Sequence, residues 1–124
     1  MLTVMLEHDG YEVVSAATVT DGLSLAKLER FDLFILDSRF HDGNGIDLCR
    51  KIRAFDQDTP IIFYSSAAYS SDVKAGLAAG AQYYLFKPNG ILIIEQTIAE
   101  LLAIPLKARA YVSQREKNMR ADSD

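Results

Sequence analysis

The sequence predicts an α/β domain built on a parallel sheet with helices on both faces, and three observations predict it. Short β-rich runs alternate with stretches of helical periodicity, the arrangement that calls for parallel strands joined by crossover helices. The runs Leu33-Phe34-Ile35-Leu36 and Ile61-Ile62-Phe63-Tyr64 are apolar throughout, as strands covered on both faces are. The chain has 124 residues, 49 % of them hydrophobic and 24 % charged. That is enough for a single core and is not the composition of a disordered segment.

Taken in order, Leu2 to His8 reads as a short helix with Gly10 placed as its C-terminal cap. A strand follows over Tyr11 to Ala17. Thr18 and Asp21 have the spacing of an N-cap and its N3 partner, and Val19, Leu23 and Ala26 form the apolar stripe behind them. The Leu33 strand is followed by a helix opened by Asn44 and Asp47, with Leu48, Ile52 and Phe55 on one face. Pro60 introduces the Ile61 strand. Ser70 caps a helix through Val73 and Leu77 that stops at Gly80, Tyr83 to Phe86 is a further strand, and Asn89 caps a last helix carrying Ile91, Ile94, Ile98, Leu101 and Leu102. From Pro105 onward the pattern weakens. The division expected is therefore one domain over 1–104 and a charged C-terminal extension or tail over 105–124.

Composition narrows the partners. A formal charge of −4 argues against a nucleic-acid backbone, which needs clustered Lys and Arg. The single cysteine, Cys49, cannot form an internal disulfide and sits in an apolar helical pattern, as a buried thiol in a reducing cytoplasm would. The N-terminus lacks a basic region followed by an uninterrupted apolar stretch, and no apolar run is long enough to span a bilayer, so the chain reads as cytoplasmic, neither secreted nor membrane-spanning.

In an open parallel sheet, ligands gather outside the carboxyl ends of the strands. Polar groups stand at three such ends: Asp37 after the second strand, Ser65 and Ser66 at the third, and Lys87 with Pro88 at the fourth. Each alone has an ordinary explanation, an Asx-turn, a local hydroxyl bond and a solvated amine. Three at equivalent positions point to one site.

These residues resemble the receiver domain of bacterial response regulators. FILDSRFHDGNG resembles that family's strand, phosphoacceptor aspartate and loop, with Gly45 at the loop glycine; IIFYSS resembles the strand ending in Ser/Thr; AGAQYYLFKP is similar to the AGAxxYLxKP signature. The resemblance implies a flavodoxin-like doubly wound sheet. It further implies that Asp37 accepts a phosphoryl group from a histidine kinase or phosphotransfer protein, that Lys87 and Ser65 assist, and that a downstream protein is signalled. Tyr84 matches the aromatic switch position, whose ring turns inward when the hydroxyl moves toward the phosphoryl group. Lys87-Pro88 would be cis. No enzymatic activity is implied beyond self-catalysed transfer to and from Asp37. Arg39 and Ser66 stand where they could tune access to Asp37.

The departures concern the start of the family pattern. Receiver domains open with a strand ending in an acidic pair that, with the phosphoacceptor, holds Mg²⁺. Met1 aligns with the middle of the family's first helix, so that strand and its acids lie upstream and the chain offers no metal ligands of its own beyond Asp37. The missing strand would lie between the Tyr11 and Leu33 strands, leaving two open ladders. The expected remedies are direct pairing of those two strands, or a homodimer that completes the sheet; a third reading is a stretch of a longer gene. Smaller departures are His41 where proline is usual, and Leu92 and Ile93, which widen the last helix's apolar face. Two functions compete: a phosphoacceptor receiver in a two-component phosphorelay, standing alone because no output domain follows Ile104, and a degenerate receiver serving as a docking or dimerisation module. A flavin- or nucleotide-binding domain is disfavoured by the lack of a GxGxxG loop.

Overall fold

The computed structural model describes residues 2–87, 91–102 and 109–113. The elements run α1 (Leu2–His8), β1 (Glu12–Ala16), α2 (Val19–Leu28), β2 (Leu33–Leu36), β3 (Arg39–Phe40), β4 (Gly43–Asn44), α3 (Gly45–Arg53), β5 (Ile61–Ser65), α4 (Ser70–Ala78), β6 (Tyr83–Phe86), α5 (Ile91–Leu102) and β7 (Arg109–Ser113). Local chemistry sets several boundaries. Thr18 Oγ1 accepts the Asp21 N–H at 3.1 Å and Asn44 Oδ1 accepts the Asp47 N–H at 2.9 Å, so α2 and α3 start at the expected caps. Gly10 takes φ of 96°, the left-handed conformation that ends α1 cheaply. In α4 the cap is Tyr69, not Ser70: the Tyr69 N–H donates to the Asp72 carboxylate at 3.0 Å, which places Ser70 inside the first turn. Phe55 lies beyond the end of α3 and is 45 % exposed, off the buried face that Leu48 and Ile52 share. The expected Asn89 cap and the Lys87-Pro88 bond lie outside the described residues.

The main sheet is five-stranded and parallel, in the order β1-β7-β2-β5-β6. This is the flavodoxin-like architecture the sequence predicts, with one correction. The place of the missing first strand is filled from the other end of the chain. β7 pairs with β1 from Glu12↔Arg109 to Ala16↔Ser113 and with β2 from Leu33↔Ala110 to Ile35↔Val112. Both ladders close on β7 of the same chain, and β1 does not pair directly with β2. Residues 109–113 therefore form a strand of the sheet.

Burial explains why a segment so rich in charge inserts there. Tyr111 packs on one face of the sheet and Ala110 and Val112 on the other, all three at most 2 % exposed. Each large side chain buried in this way contributes about 1.5–3 kcal/mol. Arg109 anchors the entry. Its guanidinium meets Glu29 at 2.7 Å and Glu12 at 3.3 Å, donates to the Arg30 carbonyl at 3.0 Å and lies 5.0 Å from the Phe31 ring centre. Its backbone N–H donates to Asp32 Oδ2 at 2.8 Å.

Two cores flank the sheet. On one side α1 and α5 bring Leu2, Leu6, Ile94 and Ile98 onto Leu33, Ile35, Ile62 and Val112. On the other, residues of α2 and α3, with Ala79 and Ala81 after α4, cover Phe34, Leu36, Phe63, Tyr84 and Tyr111. Ile93 of α5 is 54 % exposed, outside both cores. Among the described residues no helix is long and apolar enough to cross a membrane.

Candidate functional site

The carboxyl ends of β2, β5 and β6 bring Asp37, Ser65 and Lys87 together. Asp37 is 6 % exposed, at the end of a strand with four buried residues. Its Oδ1 accepts the Ser38 N–H at 2.6 Å and its Oδ2 faces Lys87 Nζ at 3.1 Å. The buried carboxylate is thus satisfied on both oxygens, one of them by a full positive charge. Lys87 is positioned in turn by its backbone N–H, which donates to the Ser65 carbonyl at 2.9 Å, and its ammonium lies 5.6 Å from the Tyr64 ring centre. With its side chain 40 % exposed, it can be approached from solvent.

Close backbone packing fixes the loop after Asp37. The Gly45 N–H donates to the Ser38 carbonyl at 3.0 Å, and a Cβ at Gly45 would strike the Asp37 carbonyl oxygen. Gly45 therefore starts α3 where a side chain would push the loop away from the acid. The loop itself is a small hairpin, β3 with β4, which the sequence reading did not foresee. At its tip, Asp42 accepts from the Val19 N–H at 2.8 Å and from the Thr20 N–H and hydroxyl at 3.1 and 2.8 Å. These bonds, that to Val19 foremost, hold its carboxyl down at about 2. Asp42 so staples the acceptor loop to the start of α2, a role no local signal announced.

Ser65 is fully buried; its hydroxyl lies 2.6 Å from the Ser38 hydroxyl, where either can donate, and it accepts the Ala67 N–H at 3.0 Å. Ser38 was not singled out from sequence, yet it links Asp37 to Ser65 through one backbone and one hydroxyl bond. Tyr84 is buried, stacked on Phe63 at 5.4 Å between ring centres, and its hydroxyl donates to the Ala67 carbonyl at 2.8 Å. Gly76 gives the ring room, since a Cβ there would come within 2.8 Å of it. Arg39 and Ser66 are exposed. Arg39 lines the mouth of a cleft of about 390 Å³ between α3 and α4 whose lining includes Tyr84, whereas Ser66 does not line that cleft.

Among the described residues, the donor set at Asp37 does not suit a hard divalent ion. Such ions take several oxygen ligands, usually more than one carboxylate. Among the described residues no group of three His, Cys, Asp or Glu lies together in a way that could hold a metal. Beside Asp37 stands an ammonium. Ser113, at the end of β7, directs its hydroxyl at the Tyr111 hydroxyl, 3.3 Å away.

With this geometry in hand, comparison with known proteins gives a consistent result. The model of the response regulator receiver domain matches residues 1–99. Over 103 residues the chain is 39 % identical to the response regulator ArlR of Staphylococcus aureus, covering 83 % of this chain and 45 % of that protein. The chain thus spans less than half the length of the curated relatives it matches. Among solved structures, a CheY-like receiver domain protein from Methanospirillum hungatei superposes with a TM-score of 0.77 at 30 % identity, over 82 % of each chain. The receiver domain of a sensor histidine kinase from Pseudomonas aeruginosa, with magnesium coordinated in its active-site cleft, gives 0.75 at 27 % identity, over 83 % of this chain and 86 % of that one.

Proposed function

The chain belongs to the response regulator receiver domain family, and from that premise we propose that Asp37 is its phosphoacceptor, charged by a histidine kinase or phosphotransfer protein in the cytoplasm and read by a downstream protein. The observation that carries the proposal is the buried Asp37 carboxylate paired with Lys87 at 3.1 Å beside the Ser38 and Ser65 hydroxyls. In the transfer, an Asp37 oxygen attacks phosphorus in line, the new P–O bond forms as the P–N bond of phosphohistidine breaks, and the imidazole leaves. The Lys87 ammonium passes from the carboxylate to an equatorial phosphoryl oxygen. The Ser65 hydroxyl exchanges its bond to Ser38 for one to another. Receiver domains are signalling modules, and the chemistry here is confined to this self-catalysed transfer.

Tyr84 supports the switch half of the reading. Its inward, buried ring and the approach of the Ser65 hydroxyl to Ser38, on the Asp37 side, match the limb of the switch in which the hydroxyl has moved toward the acceptor. Intact-mass spectrometry after incubation with acetyl phosphate tests the acceptor. One phosphoryl adduct on the folded chain, absent from Asp37→Asn, is expected. An adduct that survives in Asp37→Asn would move the acceptor elsewhere, and none on the folded wild type would end the proposal.

A further inference from the structure

Receiver domains typically bind Mg²⁺, yet the strand that completes this sheet brings no carboxylate to the site among the described residues. One step beyond the last paired residues, Ile35 and Val112, come Leu36 and Ser113, and one step further on β2 comes Asp37. β7 therefore runs beside β2 to the edge of the acceptor site, where the family's first strand delivers its acidic pair. What its described residues deliver is Ser113, whose hydroxyl is turned back to Tyr111. β7 occupies the slot between β1 and β2 and, among the described residues, brings no acid to it. Meanwhile the counter-charge to Asp37 is already present as the Lys87 ammonium at 3.1 Å.

We propose that in this chain Lys87, and not a divalent cation, balances the acceptor site, so that Asp37 takes up a phosphoryl group without Mg²⁺. The inference rests on the reading of Asp37 as acceptor. A monovalent ammonium and the hydroxyls of Ser38 and Ser65 address the phosphoryl oxygens by hydrogen bonds, which is the positioning and charge compensation that a loose phosphoryl transition state asks of its surroundings. When acetyl phosphate is the donor, the new P–O bond to Asp37 forms as the P–O bond to the acetyl oxygen breaks, and acetate leaves.

The test uses the full chain with acetyl phosphate, once with millimolar Mg²⁺ and once with excess EDTA, followed by intact mass. Equal adduct in both is expected, retained in Lys87→Arg and formed about a hundredfold more slowly in Lys87→Gln, the usual effect of removing one preorganised charge-stabilising donor. Adduct formed only with Mg²⁺ overturns the inference. An independent measurement follows the Asp37 carboxyl ¹³C resonance through a millimolar Mg²⁺ titration: no saturable shift is expected, and a saturable one overturns the inference. Absence of adduct under every condition would refute the acceptor reading itself, and the titration would still decide whether Lys87 has displaced the metal.

Discussion

Replacing Tyr111 with alanine tests the completion of the sheet by β7. The side chain is fully buried among Phe31, Phe34 and the residues of α2 and α3, with ring centres 5.8 and 5.7 Å from the two phenylalanines. An aromatic side chain removes roughly 150–250 Å² from water, worth about 4–6 kcal/mol at about 25 cal/mol per Å². Measured truncations of large core aromatics cost about 3–5 kcal/mol, and a value of about 4 kcal/mol is expected here. The Ser113 hydroxyl also loses its partner. With a urea dependence of about 2 kcal/mol per molar, the unfolding midpoint should fall by about 2 M. Equilibrium urea unfolding followed by circular dichroism reads this directly. If residues 109–113 were a solvated tail, the substitution would change nothing, and a shift below about 0.3 M would refute the placement of β7.

Other consequences are equally open to measurement. Gly22 lies in α2 against the Tyr111 hydroxyl, so Gly22→Ala, which in an ordinary helix interior gains up to about 1 kcal/mol, should here destabilise, with Tyr111→Phe recovering part of the loss in a urea double-mutant cycle. Burial pushes the Cys49 thiol up from 9.0 to about 11. The folded state holds that proton longer than the unfolded one, so the associated stability is intact below pH 9 and is lost as pH rises toward 11; denaturation curves across that window should fall more steeply for wild type than for Cys49→Ala. Asp42 behaves oppositely: with its carboxyl lowered from 3.8 to about 2, its stabilising effect is present above the unfolded value and lost as pH falls through about 2, which an NMR titration of its carboxyl carbon should trace and Asp42→Asn should abolish.

What could be read from the sequence was local. Thr18 with Asp21 and Asn44 with Asp47 announce their helices because capping is a contact between residues three apart. The unbroken apolar runs of β2 and β5 declare strands covered on both faces. Asp37, Ser65 and Lys87 could be grouped because a parallel sheet gathers strand ends, whatever its details. The rest was set by distant partners. Ala110, Tyr111 and Val112 are three apolar residues among charges, too few for a periodicity, and their strand exists only because β1 and β2 offer two unpaired ladders. The same holds for Ser38, whose hydroxyl matters through Ser65, 27 positions away. Asp42 looks like a turn residue until α2 is set beside it.

The position of β7 also has a consequence for how the molecule comes into being. Glu12 pairs with Arg109 across nearly the whole described chain, and β7, an interior strand of the sheet, is the last of the described strands to be synthesised. Until it arrives, β1 and β2 have no common neighbour, and the acceptor site has no finished floor. A fold whose interior strands all come early in the sequence can build outward during synthesis. This one must hold β1 apart from the β2-β5-β6 group until Ser113 has emerged, so closure waits on translation, and such long-range pairings are the slow steps in folding.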